Sequence, residues 1–121
     1  MAPSLPPRAT SLGLPKEARL RRERDFTPVR ARGRRHVGGQ VVVRHVESAS
    51  GRPRLGVSSP RRYGSAVVRN RFRRLVRAAF RSLQGSLPAR DWLVEPRGDL
   101  KTPTLEGIRA DLLAAAGRAP R

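Results

Sequence analysis

The sequence predicts an α+β fold, a single small domain in which helices cover a small sheet, with elements in the order α-β-β-α-β-α. Three observations predict it. The chain has 121 residues, enough for one hydrophobic core and too few for two lobes. Two short β-branched runs, separated by turn residues, precede a long stripe of apolar residues at helical spacing. A further strand and helix then close the chain, so strands and helices are neither strictly alternating nor fully segregated.

Residues 1–15 combine four prolines with Ser, Thr and Gly and carry no hydrophobic period, which predicts a disordered leader. From Lys16 to Arg24 the chain is mostly charged. A short helix is predicted over Asp25–Gly33, with Phe26 and Val29 on one face and Gly33 ending it. Pro28 fits such a helix near its first turn, where a missing N–H costs little. Gln40–Val46 and Arg54–Ser59 read as strands, and the Ser50-Gly51-Arg52-Pro53 turn between them predicts an antiparallel pair. Gly38-Gly39 reads as an isolated pair before the first strand. Pro60 ends the second strand, Arg61-Arg62-Tyr63-Gly64 forms a basic loop, and Ser65 fits an N-cap.

The next helix is the strongest element. Val68, Phe72, Leu75, Val76, Ala79, Phe80 and Leu83 form one apolar stripe, while Asn70, Arg73, Arg74, Arg77 and Arg81 project away from it. Arg71 lies off one margin and Arg69 falls close to the stripe, and Gly85 is expected to stop the helix. Asp91–Glu95 reads as a strand closed by Pro96. A last helix is predicted to begin near Thr102-Pro103 and to turn Leu105, Ile108, Leu112 and Ala116 inward.

Charge narrows the function. Lys and Arg number 27 against 9 Asp and Glu, a formal charge of +18. Five of the nine acids follow residue 90, where they meet five bases, so the whole excess arises from residues 1–90. From Ser48 through Arg90 stand eleven arginines and no acid. A field of this strength attracts polyanions and strains the compact state by self-repulsion until one binds. The preference for Arg over Lys suits bidentate phosphate contact, but in a chain rich in Ala, Gly and Pro it is credited mostly to a GC-rich coding bias, and only the sign of the charge to function.

Catalysis by the chain alone finds no support. The absence of cysteine excludes a disulfide framework, a thiolate zinc site and a Cys nucleophile. His36 and His45 both neighbour arginine and read as surface or strand-face imidazoles. The acids do not cluster at metal-ligand spacing, the serines lack a triad or elbow arrangement, and no Gly-rich phosphate loop is present. No apolar run approaches a membrane span or the core of a signal peptide, so no membrane partner and a cytoplasmic location are expected. What remains is a helix whose outer face carries a row of guanidinium groups, entered from a loop bearing Arg61 and Arg62, the electrostatic footprint of a nucleic-acid partner. No DNA-reading motif is present, which favours RNA. Three classes follow: an RNA-binding subunit of a larger enzyme, a ribosomal or architectural protein that neutralises RNA, and an autonomous nuclease, the last disfavoured by the missing acid/base constellation.

Two segments carry a resemblance. Arg54-Leu55-Gly56-Val57-Ser58 and the run from Gly64 to Arg81, with Arg69-Asn70-Arg71 followed by Phe72-Arg73-Arg74-Leu75-Val76-Arg77, resemble the signature of the bacterial ribonuclease P protein subunit. Leu14-Pro15-Lys16-Glu17, Leu20-Arg21-Arg22 and Asp25-Phe26 are similar to the start of that family. The resemblance divides the chain into an extension (1–13), an RNA-binding domain (14–116) and a short tail (117–121). It implies a non-catalytic partner, one per catalytic RNA, of a large RNA that removes the 5′ leader from precursor tRNA, with magnesium expected on that RNA and no cofactor on the protein. It also implies a left-handed β-α-β crossover, against the general rule. By position, Arg62, Arg69, Asn70, Arg71, Arg73, Arg74, Arg77 and Arg81 are implied to face the catalytic RNA, and Phe26, Arg30, Val42 and Arg44 to line a leader cleft. Family members often carry aromatics where this chain has Arg30 and Arg44, and Asn where it has Ser65. Leader binding is therefore expected to lean on charge more than on stacking and to depend steeply on salt.

Overall fold

A strand that is apolar toward both faces belongs inside a sheet, whereas one studded with arginine belongs at an edge. The computed structural model, which describes residues 18–20, 23–48, 50–98 and 102–118, follows that logic. Its elements are α1 (Glu23–Arg32), β1 (Arg34–Val37), β2 (Val41–Glu47), β3 (Arg54–Val57), α2 (Ala66–Leu83), β4 (Arg90–Pro96) and α3 (Leu105–Arg118), with 3-10 turns at Arg61–Tyr63 and Gln84–Ser86. The leader expected over residues 1–15 lies outside the described residues.

The sheet order is β1-β2-β4-β3, with β2 antiparallel to both β1 and β4 and β3 parallel to β4. The α+β class holds, with two corrections. First, β2 and β3 do not pair. Trp92, Leu93 and Val94 are each fully buried, which requires cover on both faces and both edges, so β4 inserts between them. Parallel neighbours β3 and β4 are then joined through α2 as a β-α-β unit. Second, a strand was missed. Arg34-Arg35-His36-Val37 has an edge strand's composition, and Gly38-Gly39 belongs to its hairpin turn, closed by the Gly38 N–H to the Val41 carbonyl oxygen at 2.9 Å. The order is thus α-β-β-β-α-β-α.

Smaller differences have local causes. α1 begins at Glu23, so Pro28 sits inside the helix rather than in its first turn. Gly85 does not adopt positive φ; α2 instead tightens into the 3-10 turn over Gln84–Ser86. The cap of α3 is Thr104, whose Oγ1 accepts from the Gly107 N–H at 3.0 Å, two residues later than expected. Leu105 consequently stays exposed, while Ile108, Leu112 and Ala116 face inward as expected, joined by Ala115. Ser65 caps α2 as expected, accepting from the Val68 N–H at 3.3 Å.

On one face of the sheet, Phe72, Val76, Ala79, Phe80 and Leu83 of α2 and Ile108 and Leu112 of α3 pack on Val41, Val43, Leu55, Trp92 and Val94. On the other, α1 places Val29 and Phe26 against Leu20, Leu93 and Val46. Backbone of the segment before α1 closes the free edge of β3, through the Leu20 N–H to the Leu55 carbonyl oxygen at 2.8 Å. Three of the late acids serve this framework. Asp91 takes both Nε and Nη2 of Arg54, at 2.9 and 2.8 Å, Glu95 pairs with Arg44, and Asp111 of α3 accepts from the backbone N–H groups of Gly39, Gln40 and Val41.

His45 is 4% exposed, its ring 4.8 Å from that of Trp92, and its Nδ1 lies 3.1 Å from Arg90 Nη1. Burial first, then Arg90, Arg34 and His36, push its pKa down from 6.5 to about 4. A depressed native pKa means the unfolded chain takes up the proton first. The stabilisation is full above pH 6.5 and is lost as pH falls toward 4, at up to about 1.4 kcal/mol per pH unit. His45→Gln should flatten the difference in urea midpoint between neutral and mildly acidic pH. An unchanged pH dependence in the variant would show that His45 does not carry it.

Candidate nucleic-acid interface

The row predicted on α2 divides into two sets. Asn70, Arg71 and Arg74 are exposed on the outer side, next to the turn that presents Arg61 and Arg62. That turn is anchored by Tyr63, 3% exposed and edge-on to Phe72 at 5.5 Å. Packing of this kind holds Arg61 and Arg62 near the helix entry instead of leaving them on a free loop. Arg81 is half-buried.

Arg69, Arg73 and Arg77, spaced four apart, follow one margin of α2 and are half-buried. Arg69 Nε donates to the Gly64 carbonyl oxygen at 3.2 Å, and Arg73 Nε donates to Ser59 Oγ at 3.0 Å. Arg73 and Arg77 were expected to project away from the apolar stripe; they turn toward β3 because the helix lies close against it. Burial first, then the charges of Arg19 and Arg73, lower the pKa of Arg77. Among the described residues no arginine of α2 forms an ion pair. The repulsion along this margin is of the kind an anion relieves.

The proposed cleft residues also come together, in altered roles. Phe26 lies over Gly56, where an added Cβ would sit 2.4 Å from the ring's Cε1, so the missing side chain at 56 is what lets α1 approach the sheet. The Arg30 guanidinium stands 5.5 Å from the Phe26 ring centre. Val42 is only 9% exposed and forms floor rather than wall. Arg44 is engaged by Glu95, which blunts its charge toward a ligand. Sequence reasoning missed Arg35 and Val37, which pair in register with Arg44 and Val42. Reading Gly38-Gly39 as a hairpin turn would have exposed their alternation.

Gly56→Ala should displace the Phe26 ring and cost about 1–3 kcal/mol of stability. Urea unfolding measures it, and a variant as stable as the parent would show that the ring has room to move.

One junction was not foreseen. Arg19, Leu20, Phe26, Leu55, Val57, Arg73 and Arg77 line a single cavity of about 350 Å³. The helix margin and the cleft therefore share a wall, and the acid-free signature of α2 continues into the groove under α1. The model of the ribonuclease P family matches residues 14–120 of this chain. This chain belongs to the ribonuclease P protein family. The ribonuclease P protein component of Chlamydia trachomatis serovar L2 is 39% identical over 89 residues, 73% of this chain and 74% of that one. That of Shouchella clausii is 37% identical over 99 residues, 80% and 81% of the two chains. Among solved structures, the RNase P protein of Thermotoga maritima superposes with a TM-score of 0.73 at 31% identity, covering 83% of this chain and 96% of that one. A Staphylococcus aureus RNase P protein mutant gives 0.75 at 27% identity, covering 87% and 90%. Membership makes the chain a protein component of ribonuclease P, the ribonucleoprotein endoribonuclease of tRNA processing, and implies association with the ribonuclease P RNA. Among the described residues no helix is long and apolar enough to cross a membrane.

Proposed function

We propose that this chain acts in the cytoplasm as the RNA-binding subunit of ribonuclease P, one copy per catalytic RNA. The outer side of α2, with Asn70, Arg71 and Arg74, and the neighbouring Arg61 and Arg62 contact the ribonuclease P RNA. The groove between α1 and the sheet receives the 5′ leader of precursor tRNA. Hydrolysis then belongs to the RNA. The observation that carries this reading is the acid-free row along α2 continuing through Arg73 and Arg77 to Phe26, a surface able to follow phosphate from one RNA to the next.

The residues of that row do not fit a divalent cation, since guanidinium groups repel it and no carboxylate stands among them. Magnesium is accordingly assigned to the RNA. With Arg44 neutralised, leader binding draws on Arg30, Arg35, Arg73 and Arg77, and its affinity falls steeply with salt.

Cleavage of precursor tRNA separates the readings when assayed with the protein alone, with ribonuclease P RNA alone at moderate magnesium, and with both. Combination is expected to raise cleavage well above that of the RNA alone, with none from the protein alone. Activity of the protein by itself, or no effect on the RNA, would overturn the proposal.

A further inference from the structure

A second group of cations gathers away from α2. The chain turns from α1 into β1 at Gly33, whose N–H bonds the Val29 carbonyl oxygen at 2.9 Å and where a Cβ would lie 2.3 Å from that oxygen. This close turn brings Arg32, the last residue of α1, and Arg34, the first of β1, to one cavity of about 510 Å³. His45, Val46, Glu47, Pro88, Ala89 and Arg90 complete its lining. Register supports the grouping, since Arg34 stands opposite His45 and Glu47 opposite Arg90.

The chemistry of the lining suits an anion. Arg32 and Arg34 are exposed and make no ion pair among the described residues. Arg90 donates to His45 Nδ1, which places the neutral ring's proton on Nε2 as a further donor. Three guanidinium groups thus face one carboxylate, Glu47. Forked donors of this kind match phosphate oxygens, and the cavity has room for a phosphate with its sugar.

Its position adds the source of that phosphate. Val46 shares one face of β2 with Val42 and Arg44, whereas Arg34, His45, Glu47 and Arg90 belong by register to the opposite face, so the cavity wraps the end of the sheet where α1 finishes at Arg32. We propose that Arg32, Arg34 and Arg90, with His45, form a phosphate-binding site for an RNA strand that leaves the groove under α1 around the end of the sheet. The strand's presence in that groove rests on the function proposed above; the phosphate site rests on its own residues.

Two titrations of the full-length chain test it. Inorganic phosphate, followed through the His45 imidazole resonances in chloride buffer near neutral pH, should shift them saturably. Arg32→Gln with Arg34→Gln should bind it at least about tenfold more weakly. Both side chains are exposed, so a circular dichroism melt should show the variant folded, and unchanged phosphate affinity in the folded variant would overturn the site. In the second titration, a single-stranded oligoribonucleotide of about eight nucleotides carries one neutral methylphosphonate, moved position by position. One position is expected to cost roughly tenfold with the parent and little with the double variant. If no position couples to the arginine pair while Phe26→Ala still weakens the strand, the groove stands and the RNA site is refuted. If coupling persists while Phe26→Ala has no effect, the site is supported and the groove reading fails. Phosphate binding without any coupled position assigns the site to the free anion and overturns the RNA proposal.

Discussion

Arg71→Ala together with Arg74→Ala is expected to weaken association with ribonuclease P RNA by about 100-fold at moderate salt. Both side chains are exposed on α2, neither is held by a partner within the described chain, and α2 stays in place through Phe72, Val76 and Phe80 on its other side. Two lost charge-assisted contacts at about 1.5 kcal/mol each give that factor. The slope of log affinity against log salt should also flatten, by roughly 0.7–0.9 per lost phosphate contact. A control pair with the same loss of charge, Arg52→Ala with Arg97→Ala, lies outside α2 and should change affinity only a few-fold. A filter-binding series at several salt concentrations measures both. Equal losses in the two pairs would mean that diffuse charge, rather than this helix face, makes the interface.

Asp111→Ala is expected to destabilise the fold by about 3 kcal/mol, the cost of removing an ionised acceptor from several backbone donors. Its carboxylate accepts from the N–H groups of Gly39, Gln40 and Val41 at 3.1, 2.8 and 3.0 Å. The carboxylate also lies where a Cβ on Gly38 would be, 2.2 Å from its Cγ, so the glycine turn and the acid form one device. Urea unfolding gives the loss, and a value under about 1 kcal/mol would show that water replaces the carboxylate. Because this turn sets β1, hydrogen exchange at the His36 amide, which like that of Gly38 points into the β1–β2 ladder, should rise in the variant even where it remains folded. The groove would thus loosen through a residue more than seventy positions away in sequence.

Arg54 and Asp91 show why some of this was legible in sequence and some was not. The acid-free run from Ser48 to Arg90 correctly located the charge excess, yet it contained no hint that Arg54 is held bidentately by Asp91 of the neighbouring parallel strand. Such a pair depends on β4 lying beside β3, and strand neighbours are chosen by burial over the whole sheet. Gln40–Val46 and Asp91–Glu95 were recognisable as strands from composition, but composition is silent on pairing order. The segment Arg34–Val37 was missed because two arginines and a histidine in four residues resemble an exposed loop, and an edge strand is allowed to look so. On α2, periodicity placed the apolar stripe correctly, and burial of Phe72, Val76, Ala79, Phe80 and Leu83 agrees with it. The same periodicity put Arg73 and Arg77 on the free side, because an isolated helix wheel contains no β3.

By itself, the sequence determined the α+β class, the α2 stripe, the concentration of cations before residue 90 and the family. These depend on residues near one another along the chain, where a period or a missing acid can be read directly. Tertiary structure alone decided that β4 separates β2 from β3, that Asp91, Glu95 and Asp111 are spent inside the framework, and that the helix margin and the groove under α1 are one surface. Those outcomes depend on which backbone and charged groups meet after long stretches of chain close, and local patterns do not encode that encounter.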